Sequence, residues 1–182
     1  MPKETNSNAG GESSSDAASD EYDVIIVGAG AAGVGVAIAL VHAGVENFLI
    51  VDRDTVGSSF AAWPEETKFI TPSFPSNSIG MLDLNSIAIG ISPAFTMRVE
   101  HPTGKQFAAH LQDIANYFEL PVEEDTDIKS IEKIDDMFHL GTDEGVLLSK
   151  NVIWAAGEYQ YPNLAGFEGS DLCRHTSTVP SY

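Results

Sequence analysis

Apolar positions in this chain fall into blocks of different period, and each period points to a different element. Val24 to Val27 is an unbroken apolar run, as expected for a parallel strand buried on both faces. Ala31 to Ala43 carries no charge and no proline, and Gly44 stands where a helix stops. Phe48 to Val51 is a second buried run, closed by Asp52. From Gly104 the spacing changes: Phe107, Leu111, Ile114, Ala115 and Phe118 recur every three or four residues. That is an amphipathic helix ending near Leu120–Pro121, with Thr103 as its N-cap. Short strands are predicted over Ile128 to Ile134, Met137 to Gly141 and Val146 to Leu148, parted by turn signals at Asp135–Asp136 and Asp143–Gly145. Lys150 to Ala155 reads as a further buried strand, closed by Ala156–Gly157. No internal repeat is visible.

Between these blocks lies Ala61 to Val99, irregular and punctuated by Pro64, Pro72, Pro75 and Pro93. It also holds Trp63, Phe69, Phe74, Met81, Leu82, Leu84 and Phe95, too many large apolar residues for a disordered linker. An ordered, ligand-covering excursion is expected, with a purely core-filling loop as the alternative.

The segment Asp23 to Asp52 carries the clearest chemistry. It runs strand, glycine loop, small-residue helix, strand, carboxylate, the order that holds the pyrophosphate of a dinucleotide. Gly28 permits the tight turn, Gly30 lets the backbone approach the phosphates, and Gly33 lets the helix pack on the strand. Gly28, Gly30, Ala31, Ala32 and Gly33 offer backbone contacts, aided by the positive end of the helix. Asp52 lies about twenty residues past the third glycine, where a carboxylate accepts hydrogen bonds from ribose. Arg53 either lies over the adenine or is a surface charge.

Charge narrows the partners. Among 182 residues, 9 basic side chains face 27 acidic ones, a formal charge of -18. Nucleic acid and anionic membrane surfaces are therefore excluded as partners, and the balance suits a cytoplasmic protein of a high-salt organism. The single cysteine, Cys173, excludes an intramolecular disulfide framework and a multi-cysteine zinc site. No metal site is expected: His42, His101, His110, His139 and His175 show no ligand spacing, and solvated or capping roles are expected for all five. Cys173, beside Arg174 and His175, reads as incidental, and the acids of VEEDTD as a solvated strand entry. The Ser-, Asn- and Asp-rich N-terminus has no apolar core and reads as a disordered tail.

This order resembles the two-dinucleotide-binding-domain flavoproteins, which include flavin-containing and Baeyer–Villiger monooxygenases and the thioredoxin- and glutathione-reductase-like enzymes. Two segments carry the likeness: the FAD-type fingerprint Gly28, Gly30, Gly33 with Asp52, and VIWAAGEYQYPNLAGFEG, Val152 to Gly169. The second is similar to the family's strand ending in Ala-Thr-Gly with a proline beyond. Here the triplet is Ala155, Ala156, Gly157, with alanine for threonine, and the proline is Pro162. Phe167, Gly169, His175 and Tyr182 supply the residue types of the monooxygenase signature, at longer gaps than it prescribes.

The resemblance implies an α/β fold: a Rossmann-like FAD-binding domain, its parallel sheet built on a βαβ glycine loop, with a small antiparallel β-meander and an incomplete C-terminal side. On that reading 1–21 is an acidic tail, 22–165 the N-terminal segment of the FAD-binding domain, and 166–182 the start of a crossover toward an NAD(P)-binding domain. It also implies that Ala156 and Gly157 lie near the cofactor's path and that Trp63 and the loop after it face the flavin, unless Trp63 merely packs. GSSFAAW carries no cysteine where glutathione-reductase-like enzymes have their pair. The thioredoxin-reductase arrangement stays open.

The implied activity is that of an FAD-dependent oxidoreductase, NAD(P)H-driven and monooxygenase-like, present as an N-terminal FAD-domain fragment that alone holds FAD weakly and turns over little. No catalytic residue is assigned. The implied partners are a small-molecule substrate and either a second copy or a missing C-terminal half. Two other readings remain: an NAD-binding dehydrogenase or non-catalytic dinucleotide binder, since Asp52 accepts either ribose, and a thiazole-biosynthesis or tRNA-modifying relative that shares only the glycine loop.

Overall fold

A computed structural model describes residues 21–74, 83–158, 161, 163 and 166–181. The tail over 1–20, Pro162 and Tyr182 lie outside them. Six strands form one sheet in the order β3-β2-β1-β6-β5-β4. The strands are β1 (Glu21–Val27), β2 (Phe48–Val51), β3 (Val122–Glu123), β4 (Ser130–Ile134), β5 (Met137–Gly141) and β6 (Val146–Trp154). β3, β2, β1 and β6 run parallel, while β6, β5 and β4 form the antiparallel meander. The helices are α1 (Ala31–His42), α2 (Ser58–Ala61), α3 (Pro93–Met97) and α4 (Gly104–Tyr117).

The period-two alternation of buried strands splits the core between the two faces of the sheet. Val24, Ile26, Phe48 and Ile50 pack with Val34 and Ile38 of α1 and with Phe107, Leu111 and Ile114 of α4. Ile25, Val27, Leu49 and Val51 pack on the opposite face with Leu140 of the meander. α1 ends and α4 begins as their sequences direct, while α4 stops at Tyr117, short of the expected end near Leu120–Pro121. Gly44, at φ 75, follows the last turn of α1. Thr103 caps α4 within a full capping box, its hydroxyl accepting from the Gln106 N–H while the Gln106 side chain accepts from the Thr103 N–H.

Three expectations change. The strands placed over Val146 to Leu148 and Lys150 to Ala155 are one strand, β6. Ser149, in the polar run SKN, is fully buried and donates to the Asn151 carbonyl at 2.7 Å, so it interrupts nothing. The first half of β6 pairs antiparallel with β5 and the second half runs parallel to β1, which merges meander and parallel sheet. β4 begins at Ser130, two residues after the expected start at Ile128, and β1 already begins at Glu21.

His110 is neither solvated nor a cap. It stands three residues after Phe107 on the buried face of α4 and is 2% exposed. Its Nδ1 lies 2.9 Å from the Thr96 hydroxyl, and its Nε2 is buried with no hydrogen-bond partner among the described residues. Burial pushes its pKa below the ordinary value, against the pull of Asp113 and Asp83. The described parts of the excursion after β2 are ordered on the α4 side. Phe60, Trp63, Phe69 and Phe107 form one aromatic cluster, with ring centroids 4.6 Å apart for Phe69 and Phe107. Buried Asp83 accepts from the Asn85 N–H and the Ser92 hydroxyl, pinning the chain before α3.

Candidate cofactor-binding site

The site forms where the parallel strands end. Val27 pairs with Val51 of β2 on one side and with Trp154 of β6 on the other. The chain segments leaving these three strands therefore rise side by side. Gly28 turns away at φ 109, and its N–H donates to the Val51 carbonyl at 2.8 Å. A Cβ at Gly28 would stand 2.5 Å from the Ala155 carbonyl oxygen, and one at Gly33 would stand 1.8 Å from the Gly28 oxygen. Glycine is therefore required at both places: at Gly28 by contact with the crossing at Ala155, at Gly33 by contact between helix and strand. Gly30 differs, since no atom of the described residues lies within 4 Å of the Cβ it lacks.

That open space faces the start of α1. Gly30 is the N-cap in extended conformation, and among the described residues no side chain caps the helix. The N–H groups of Ala31, Ala32 and Gly33 thus have no intrahelical acceptor, and the helix dipole places positive potential there. An anionic diphosphate fits this end on both counts.

Asp52 braces the loop. One carboxylate oxygen accepts from the Ala29 N–H at 2.6 Å and the other from the Asp54 N–H at 2.9 Å. Each oxygen keeps a second lone pair for a donor such as a ribose hydroxyl. Gly57, at φ 75, donates its N–H to the Ala29 carbonyl at 3.0 Å and secures the loop from the other side. The strand β3 extends the support: Asp52 donates its N–H to the Glu123 carbonyl, Thr126 donates to that of Asp52, and Glu124 accepts the Val56 N–H at 2.9 Å. The acids of VEEDTD are thus partly engaged rather than simply solvated.

A cleft of about 300 Å³ opens beside this loop. Its floor is Val27, Gly28 and Val51, and its walls bring together Asp52, Arg53, Ala156 and Gly157. Five of the residues singled out in the sequence therefore meet at one cleft. Gly30, Ala31, Ala32 and Gly33 stand at the adjacent helix start and do not line it. Trp63 is not brought there either: its ring packs 5.2 Å from those of Phe60 and Phe69. No described residue between Ala61 and Val99 lines the cleft, so the described part of the excursion does not cover this end of the site.

Sequence reasoning missed Thr126, Asp127, Ile128, Trp154 and Tyr161, which complete the walls. The first three arrive through the β2–β3 ladder, a two-residue pairing with no periodicity to announce it. Trp154, at 63% exposure, carried a signal: a large aromatic at the end of an otherwise aliphatic strand. Cys173 is free and exposed, and His175 accepts from the Ser177 N–H as a cap. Among the described residues no helix is long and apolar enough to cross a membrane.

These features define an α/β domain with a dinucleotide-binding loop at the C-terminal edge of its parallel strands. Residues 25–182 match the family model of the pyridine nucleotide-disulphide oxidoreductases, and the chain belongs to that family. Its relatives include the uncharacterized oxidoreductase CzcO of Bacillus velezensis, 28% identical over 161 residues, which make up 88% of this chain and 43% of the relative. The chain thus spans less than half the length of that relative. Among solved structures, the bacillithiol disulfide reductase Bdr of Staphylococcus aureus superposes with a TM-score of 0.70 at 23% identity, over 84% of this chain and 43% of that one. A flavin-containing monooxygenase from Stenotrophomonas maltophilia gives 0.60 at 18% identity, over 75% of this chain and 38% of the other. The fold is the Rossmann-like FAD-binding fold, and the family's cofactors are FAD and NAD(P)H.

Proposed function

We propose that this chain holds the ADP half of FAD in an NAD(P)H-driven, monooxygenase-like oxidoreductase. The observation that carries the reading is the open position at Gly30 facing the uncapped start of α1, with Asp52 fixed beside it. The three main-chain N–H groups of Ala31, Ala32 and Gly33 would hold the diphosphate, and Asp52 the adenosine ribose. Ala155 and Ala156, packed against Gly28, and Gly157 after them would border the path leading away from the diphosphate. Bound FAD supplies the hydride and electron chemistry, while the protein supplies geometry and exclusion of water. Because the matched relatives are about twice as long, we assign the NAD(P)-binding part and the substrate site to polypeptide other than the residues described here.

Cysteine placement supports the monooxygenase-like reading over a glutathione-reductase-like one, whose cysteine pair follows the second strand. Ser58 to Trp63, after β2, contains α2 and no cysteine, and the single thiol, Cys173, is exposed beside a 3-10 turn. The alternative is an NAD-binding dehydrogenase or a non-catalytic dinucleotide binder, supported by the same Asp52 geometry. The test is titration of the full chain with FAD, NAD+, ADP and FMN, followed by flavin fluorescence and calorimetry. Saturable FAD binding that ADP displaces and FMN does not is the expected result. NAD+ held more tightly than FAD overturns the flavin reading in favour of the alternative.

A further inference from the structure

The cleft is closed on one side by a contact that the fold does not need. Arg53 leaves the end of β2, and Tyr161 follows the crossing after β6, 108 residues away in sequence. The Arg53 Nη1 donates to the Tyr161 hydroxyl at 3.3 Å, and its Nε faces Asp54 at 3.4 Å. The guanidinium is therefore tethered from its own strand end and from the opposite wall. Both residues line the cleft, yet the Arg53 side chain is 40% exposed and Tyr161 83% exposed. A solvated pair of this kind contributes little to folding.

Its chemistry suits a ligand instead. The other ionised groups of the lining are Asp52 and Asp127, both acceptors of hydrogen bonds. Arg53 contributes a flat cation with further N–H donors, and Tyr161 accepts one of them through its hydroxyl oxygen and so fixes the plane of the guanidinium. An adenosine presents both kinds of surface: ribose hydroxyls that donate, matching Asp52, and a flat base with acceptor nitrogens, matching the arginine–tyrosine corner.

We propose that Tyr161 is a positioning residue which holds the Arg53 guanidinium across the mouth of the cleft, so that the two form a clasp over the adenine end of the bound nucleotide. The inference rests on the cofactor reading given above. It is tested on the full chain and its Tyr161→Phe, Arg53→Met and doubly substituted forms, by affinities and dissociation rates for FAD, ADP and FMN, with thermal melting as the check on folding. Tyr161→Phe keeps the ring and removes the hydroxyl, so it should weaken FAD and ADP by about two- to tenfold through faster dissociation. FMN, which lacks adenosine, should displace FAD from none of the four forms. Because Tyr161 acts through Arg53, the double variant should bind no worse than Arg53→Met alone. ADP bound equally by wild type and Tyr161→Phe, or additive losses in the double variant, overturns the clasp while leaving the cofactor reading intact. A wild-type chain that holds neither FAD nor ADP refutes that reading and the clasp with it.

Discussion

Gly30 and Gly33 look alike in the motif, but they should respond oppositely to substitution. A Cβ at Gly33 would sit 1.8 Å from the Gly28 carbonyl oxygen, 3.0 Å from its carbon and 3.4 Å from Ile26 Cγ2. The Gly28 carbonyl cannot easily yield, because its own N–H is bonded to Val51 and the next N–H to Asp52. Gly33→Ala must therefore lift α1 from β1 by about 1 Å, an overpacking of backbone on backbone at the upper end of the usual range, about 3 kcal/mol. For a chain of this length that lowers Tm by about 6–12 °C. The Cβ of Gly30→Ser meets no atom of the described residues within 4 Å, and the extended backbone at Gly30 is the conformation an N-cap serine adopts. It should leave stability within about 0.5 kcal/mol of wild type, on the stabilising side. The new hydroxyl, however, takes the N–H groups and the space assigned to the diphosphate, so FAD affinity should fall by about tenfold or more. Urea titration and flavin binding on the two variants decide the matter. A Gly33→Ala chain that melts with wild type, or a Gly30→Ser chain with undiminished FAD affinity, would refute the assignment of these two glycines.

Three further outcomes follow from the contacts. His110 is held neutral by burial, so the unfolded chain takes up its proton first on acidification. Its contribution is complete above the ordinary histidine pKa of 6.5 and is lost as pH falls below that value toward the lowered folded pKa. Between about pH 8 and about pH 5.5, the urea midpoint of wild type should therefore fall further than that of His110→Gln, and equal shifts would contradict it. Asp52→Asn keeps one acceptor oxygen for two N–H groups, leaving Ala29 or Asp54 unmatched, and should cost about 1–3 kcal/mol in urea unfolding together with FAD affinity. Thr103→Ala opens the capping box of α4 and should cost about 1 kcal/mol, or about 2–4 °C in Tm, with FAD binding unchanged.

Local chemistry was readable wherever a single stretch of chain determines it. The limits of α1 and β2, the Thr103 cap and the glycine loop all follow from periodicity and breakers within a dozen residues. His110 was legible too, since it falls with Phe107, Leu111 and Ile114 on the buried stripe of α4, but a polar residue on an apolar stripe was read by type rather than by place. The division of β6 misled for a comparable reason. Ser149, Lys150 and Asn151 look like a break, yet Lys150 reaches Asp23 at 2.8 Å and Asn151 donates to the Asp23 carbonyl at 3.0 Å, so the sheet absorbs them. What could not be read was the far side of the cleft. Thr126, Asp127 and Tyr161 reach it only through pairing across the sheet and through the return of the chain after β6.

Charge constrains how this site attracts a diphosphate at all. Acidic residues outnumber basic ones 27 to 9, and the cleft lining offers Arg53 against Asp52 and Asp127. Side-chain cations therefore cannot be the main attraction, as they are where lysines and arginines crowd a phosphate site. The main-chain donors at the start of α1 must carry it, with Asp52 turned to Ala29 and Asp54 rather than toward the phosphates. Main-chain donors in direct contact with a ligand are screened less by salt than charges spread over the surface. Salt also damps the repulsion between an acidic chain and an anionic ligand. The two effects act in the same direction, so this cleft should keep or gain nucleotide affinity as ionic strength rises, where a lysine-built phosphate site would lose it.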